Sequence, residues 1–108
     1  MGSLAESQVY ESTSREAFAL VSTTEARRLF HLSVHIAAAG AAGWILIFDS
    51  ASTPSGIPRY PPIPVQPGDH HSIPFDGLVF TSGIYVSYST AETYSAGAAS
   101  ALFWLRYM

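Results

Sequence analysis

A chain of 108 residues has room for one hydrophobic core and not for two. Its apolar fraction of 48% and charged fraction of only 12% exclude global disorder, because disordered chains are charge-rich and apolar-poor. The sequence has no Lys and no Cys, and its formal net charge is −3; this excludes Schiff-base and Walker lysines, disulfides, thiol nucleophiles and thiolate metal sites, and it argues against a nucleic-acid partner gripped through its phosphates.

Residues 1–15 are polar, with Glu6, Gln8, Glu11 and a run of Ser and Thr. They read as an N-terminal arm, either lying extended on a neighbour or frayed, with a single β domain over residues 16–108. Met1–Leu4 has no basic segment, and no apolar stretch of signal-peptide type follows, so no secretory leader is expected. Ala17–Thr23 reads as a short strand, and Thr24–Arg27 as a turn. Leu29–Ile36 is the clearest strand: Phe30, Leu32, Val34 and Ile36 alternate with His31, Ser33 and His35, a period of two. Ala37–Gly43 is a small-residue turn. Trp44–Phe48 is apolar throughout, which predicts a strand covered on both faces. The apolar stretch from Ile36 to Phe48 is interrupted by Gly40 and Gly43 and is too short for a membrane helix; no membrane partner is expected.

Residues 54–68 carry six prolines, which rules out a helix or a central strand and leaves an extended crossing segment with an edge strand at Ile63–Gln66. Pro67-Gly68-Asp69 is a turn. His70–Phe75 is a strand with Ile73 and Phe75 inward, and Pro74 places it at an edge. Asp76-Gly77 is a second turn signal, with a brief strand at Leu78–Phe80 beyond it. Ile84–Ser89 and Ala101–Tyr107 alternate again, around a polar loop over 90–100. Short period-two segments separated by Gly/Pro turns predict an all-β fold: an antiparallel β-sandwich of about seven strands, jelly-roll or Greek-key-like, with Phe30, Leu32, Val34, Ile45, Ile47, Ile84 and Val86 in the core.

Candidate chemistry is sparse. His31 and His35 share a strand face, but their Cβ atoms are about 13 Å apart, too far for one ion to bridge. His70 and His71 point to opposite faces. A metal site would need His from different strands plus a carboxylate such as Asp69 or Asp76, and no spacing asks for one. No Ser stands in a nucleophile elbow, and Asp49, Asp69, Asp76 and Glu92 all fall at turns, where carboxylates usually cap backbone amides. No catalytic, cofactor-binding or metal-binding residue is assigned, and no enzyme activity is expected. Tyr60, Tyr85, Tyr88, Tyr94 and Trp104 could form a sugar-stacking platform, although sheet-face tyrosines more often serve a core or an interface. With 5 basic and 8 acidic residues for the whole surface, contact with neighbouring subunits is expected, with Tyr85, Tyr88 and Tyr94 as interface candidates.

Three stretches occur together: Trp44–Gly56, with an F-D-x-A-x-x-P-x-G turn; Pro61–Gly68, leading into the strand that ends at Phe75; and Phe80–Thr90, an F-x-x-G-I-x-V-x-x-S-T run. In this order and spacing the chain resembles small tailed-bacteriophage virion proteins of β-sandwich type, over about residues 16–95. The resemblance implies a non-enzymatic structural protein of the virion, a head decoration or a neck or tail attachment component, in contact with other virion proteins and assembled as a homo-oligomer. A carbohydrate- or receptor-binding module of a tail fibre is the alternative. Within the motifs, Asp49 is expected to cap a turn, and Gly83 to relieve a bulge or a positive φ.

Overall fold

A computed structural model describes residues 8–22, 26–54 and 56–108. The described residues form eight strands and no helix: β1 (Gln8–Glu11), β2 (Phe18–Ser22), β3 (Arg27–Ile36), β4 (Gly43–Asp49), β5 (Ile63–Val65), β6 (His70–Phe80), β7 (Gly83–Ser89) and β8 (Ala101–Tyr107). They make two four-stranded sheets, ordered β1-β8-β3-β6 and β2-β7-β4-β5. The antiparallel partners are first with last: β1 with β8, β2 with β7, β3 with β6 and β4 with β5. The chain is thus one long hairpin rolled up, and β3–β8 and β4–β7 pairing closes each sheet. That order defines an eight-stranded jelly roll.

The core lies between the sheets. Leu32, Val34 and Ile36 of β3 and Phe103 and Leu105 of β8 face Ile45 and Ile47 of β4 and Ile84 and Val86 of β7, all buried. Trp44–Phe48 is covered on both faces, as its unbroken apolarity predicts: Ile45 and Ile47 enter the core, while Leu46 and Phe48 enter a second, smaller cluster with Tyr85. The Pro-rich segment crosses toward the first sheet and runs along the edge strand β6. Tyr60 packs edge-on against Phe75 at 5.0 Å, and Arg59 donates to the Val79 carbonyl at 2.8 Å.

Three features differ from the sequence expectations. Phe30 is half-buried, and Leu29 takes the core position. The cause is a bulge: Leu29 pairs with Tyr107 and His31 with Arg106, so Phe30 is an extra residue that shifts the alternation by one. Second, Asp76-Gly77 ends no strand. On the β6 side Leu29 pairs with Leu78 and His31 with Pro74, so Phe75, Asp76 and Gly77 bulge within one continuous strand, Gly77 supplying the turn with φ +74°. Third, the arm is only partly an arm. Gln8–Glu11 pairs with Gln8↔Tyr107 through Glu11↔Trp104 on its own chain's β8, which brings the strand count to eight. Residues 1–7, residue 23 at the end of the expected Ala17–Thr23 strand, and residues 24 and 25 of the expected Thr24–Arg27 turn lie outside the described residues.

The first motif's aspartate works at a distance. Asp49, at the end of β4, accepts from the backbone N–H of Thr81 (3.0 Å), Ser82 (2.7 Å) and Gly83 (3.2 Å) and from the Thr81 hydroxyl (3.1 Å). It thereby fixes the corner where the chain leaves β6 for the other sheet. Gly83 has no positive φ. It is required by close approach, because a Cβ there would sit 2.6 Å from the Ser50 carbonyl oxygen. Partial desolvation opposes the Asp49 charge, but the N–H and O–H donors outweigh it, and the carboxyl is held below its ordinary value. A depressed native pKa contributes stability above the unfolded value of about 3.9, which is lost as pH falls through the native value. Asp49→Asn is expected to cost about 1–2 kcal/mol at neutral pH. Urea melts at neutral and acidic pH check this: the deficit should shrink below about pH 4.

Candidate functional site

Two outward faces remain after the core is assigned. The outer face of the β2-β7-β4-β5 sheet is aromatic. Phe18 lies flat on Tyr85, with ring centroids 4.9 Å apart. Tyr94, from the 90–100 loop, stands edge-on to both Phe48 (6.1 Å) and Tyr85 (6.3 Å). The Ser89 hydroxyl, fully buried, ties that loop down: it donates toward the Ala91 and Thr93 carbonyls and accepts from the Ser95 N–H at 3.0 Å. The interface candidates therefore divide. Tyr85 and Tyr88 are each 3% exposed and offer a neighbour almost no area as the chain stands. Tyr85 supports Phe18 from beneath, and burial together with a bond to Tyr94 pushes its phenol pKa up. Tyr88 faces the core, with its hydroxyl donating to the Ala41 carbonyl. Tyr94 is half-buried, and Phe18, for which the sequence gives only a place in the Ala17–Thr23 strand, is 44% exposed.

The outer face of the β1-β8-β3-β6 sheet is different. Its register lays side chains out in rows across the strands: Glu11, Trp104, Ser33 and Ser72 in one, Leu102, His35 and His70 in the next. Between Trp104 and the His35/His70 pair runs an open groove of about 190 Å³, with Ser33, Leu102 and Glu11 also lining it. His35 and His70 meet edge to face at 6.1 Å, and His31 stands edge-on to Trp104 at 5.7 Å. His31 is anchored by the Ser72 hydroxyl at 2.8 Å. Pairing thus brings together two histidines far apart in sequence. His71 points the other way, as expected, and its Nε2 meets Asp69 Oδ2 at 3.3 Å. Asp69 also accepts from the Gln66 N–H at 2.8 Å, and this bond, ahead of the one to His71, lowers its pKa. Among the described residues no group of three His or carboxylate side chains converges to hold a metal ion. The five supposed sugar-stacking aromatics are not one platform. Tyr60, Tyr85, Tyr88 and Tyr94 are spent on Phe75, Phe18, the core and Phe48, and Trp104 alone faces the groove.

The arginines lie against the chain's own groups. Arg27, Arg59 and Arg106 lie over the rings of Tyr107, Phe80 and Phe30 at 5.6–5.8 Å. Arg15 and Arg28 donate to the carbonyls of His35 and Gly77. Every arginine of the chain is thus engaged with its own rings or carbonyls. Comparison with known proteins finds no matching family model, no matching curated protein and no matching solved structure.

Near the β1 end, Tyr10 donates to Glu16 Oε2 at 2.6 Å. Burial first, then this bond and the Glu16 charge, push the Tyr10 phenol up to about 12. A raised native pKa contributes stability that is complete below the unfolded value of about 10 and lost as pH rises toward the native one. Unfolding midpoints are therefore expected to fall between about pH 10 and 12, and Tyr10→Phe should flatten that part of the decline.

Proposed function

We propose that this chain is a non-enzymatic structural protein of a tailed-bacteriophage virion, a head decoration or a neck or tail attachment component that works in multiple copies against other virion proteins. The observation that carries the reading is the strand order, β1-β8-β3-β6 over β2-β7-β4-β5. Virus shells use this architecture widely, and lectins and cupins use it too, so the fold supports the reading by analogy and not by itself. The motif residues add to it, since each makes the fold: Asp49 and Gly83 hold the corner after β6, Phe48 fills the second cluster, and Ser89 ties the loop. The contact patch in this reading is centred on Phe18, with Leu20, Trp44 and Tyr94 around it, in place of the buried Tyr85 and Tyr88.

Sedimentation of the full chain at about 1 M salt, where the Debye length is about 3 Å, tests the assembly. An apolar contact persists there, and Phe18→Ser is expected to shift the chain toward monomer. Co-sedimentation with purified phage particles tests the partner. A wild-type monomer that also fails to bind particles would remove this reading.

A further inference from the structure

We propose that the groove on the outer face of the β1-β8-β3-β6 sheet binds one neutral hexopyranosyl unit of a glycan, with Trp104 as its stacking face and His35 and His70 as its hydrogen-bonding partners. The size fits a single ring: about 190 Å³ lies below the roughly 300–1,000 Å³ of drug-sized pockets. The groove is open along the surface, so the neighbouring units of a chain can continue outward. Trp104 is half-buried and held by the edge of His31 at 5.7 Å, so little freedom is lost when its face is covered. A fixed indole suits the apolar C–H face of a pyranose, as it suits other partners that are flat and apolar on one side.

The polar side of the groove fits hydroxyls. A neutral imidazole carries one donor and one acceptor, and so matches a group that both donates and accepts. Among the described residues, the ring nitrogens of His35 and His70 make no side-chain hydrogen bond, while the two rings brace each other at 6.1 Å. The backbone beneath His35 is fixed as well, its carbonyl accepting from Arg15 at 3.1 Å. Glu11 is the one charged residue in the lining. With no Arg or Lys in the lining to neutralise a phosphate or a carboxylate, and with one carboxylate to repel it, a neutral ligand is selected. Ser33, small and central, leaves the floor low enough for a ring to settle between Trp104 and the histidines.

This inference does not rest on the virion reading. A protein bound to a shell, a tail or nothing would show it equally, and the sedimentation and the titration below fail separately. The probes are oligosaccharides of glucose, of galactose and of N-acetylglucosamine, with a glucuronate oligomer as the acidic counterpart, added to the isotope-labelled full chain in EDTA near neutral pH. NMR shifts of the Trp104 indole and the His35 and His70 rings are followed up to about 20 mM, because single-ring sites bind in the millimolar range. At least one neutral series is expected to give saturable shifts at these three residues. Trp104→Ala should weaken binding about tenfold or more, and Phe18→Ala, on the opposite sheet, should leave it unchanged. If Trp104→Ala loses native shift dispersion, the His35→Ala/His70→Ala double variant carries the same test, with a loss of about threefold or more. The proposal is overturned if no neutral series gives saturable shifts, if binding survives both variants, or if glucuronate binds more tightly. Binding seen only when zinc replaces EDTA would also overturn it, since the histidine pair would then be a metal chelate.

Discussion

Ile47→Ala is expected to cost about 2–5 kcal/mol, the range for deleting three carbons from a packed core. Ile47 is fully buried, sits in the middle of β4 and pairs with Val86 on the neighbouring β7. Its side chain joins the cluster that also holds Leu32 and Val34 of the other sheet. The two sheets cannot close around the missing atoms without shifting the hydrogen-bonded ladder, so much of the void would persist. Domains of this size have about 5–15 kcal/mol in all, so the variant should melt roughly 10–30 °C lower. Ile57 is the control, at 92% exposed: Ile57→Ala should stay within about 0.5 kcal/mol of wild type. Urea melts of the pair decide the matter. An Ile47→Ala change as small as that of Ile57→Ala would mean that β4 does not present Ile47 to the core.

The sequence carried the strands wherever alternation was uninterrupted. In β8 the alternation matches the observed faces, because regular pleating sends successive side chains to opposite sides, and in β4 the unbroken apolar run matches a strand covered on both. Alternation failed at Phe30 for a local reason. A bulge needs only one unpaired residue, and nothing about Phe30 itself marks it as extra; the constraint comes from Arg106 and Pro74 on its two neighbours. Asp76-Gly77 was legible as a place where glycine takes a positive φ, but a hairpin turn and a bulge require the same residue, and only the partner strand separates them. The groove was not legible at all. His35 and His70 lie in strands that meet only in the folded sheet, and sequence spacing compared His35 with His31, which is too distant. The tyrosines misled in the opposite direction: Tyr85 and Tyr88 stand on opposite faces of β7, yet the 90–100 loop covers one and the core the other, so alternation predicted an exposed side where none exists.

Removal of residues 1–15 is expected to destabilise the domain severely rather than free it of an arm. The deleted segment includes all of β1, which covers the edge of β8. Beyond the strand, the Ser12 N–H donates to the Phe103 carbonyl at 2.9 Å, and the Phe103 N–H donates to the Ser12 hydroxyl at 2.9 Å. Tyr10 packs against the core and bonds Glu16, and Arg15 reaches the carbonyls of His35 and Ser100. Each backbone bond contributes about 1 kcal/mol net, and the half-buried Tyr10 ring adds apolar area to the total. Together these amount to several kcal/mol, a large part of what a domain of this size has. The truncation also bares the β8 edge, and an uncovered edge strand with no lysine near it invites pairing with another chain. The expected result is a truncated chain that either loses its cooperative urea transition or sediments as ill-defined aggregates, while the full chain does neither. A truncated chain with the full-length unfolding midpoint and a single sharp sedimentation boundary would show that β1 is dispensable and that the second half of the N-terminal segment does behave as an arm.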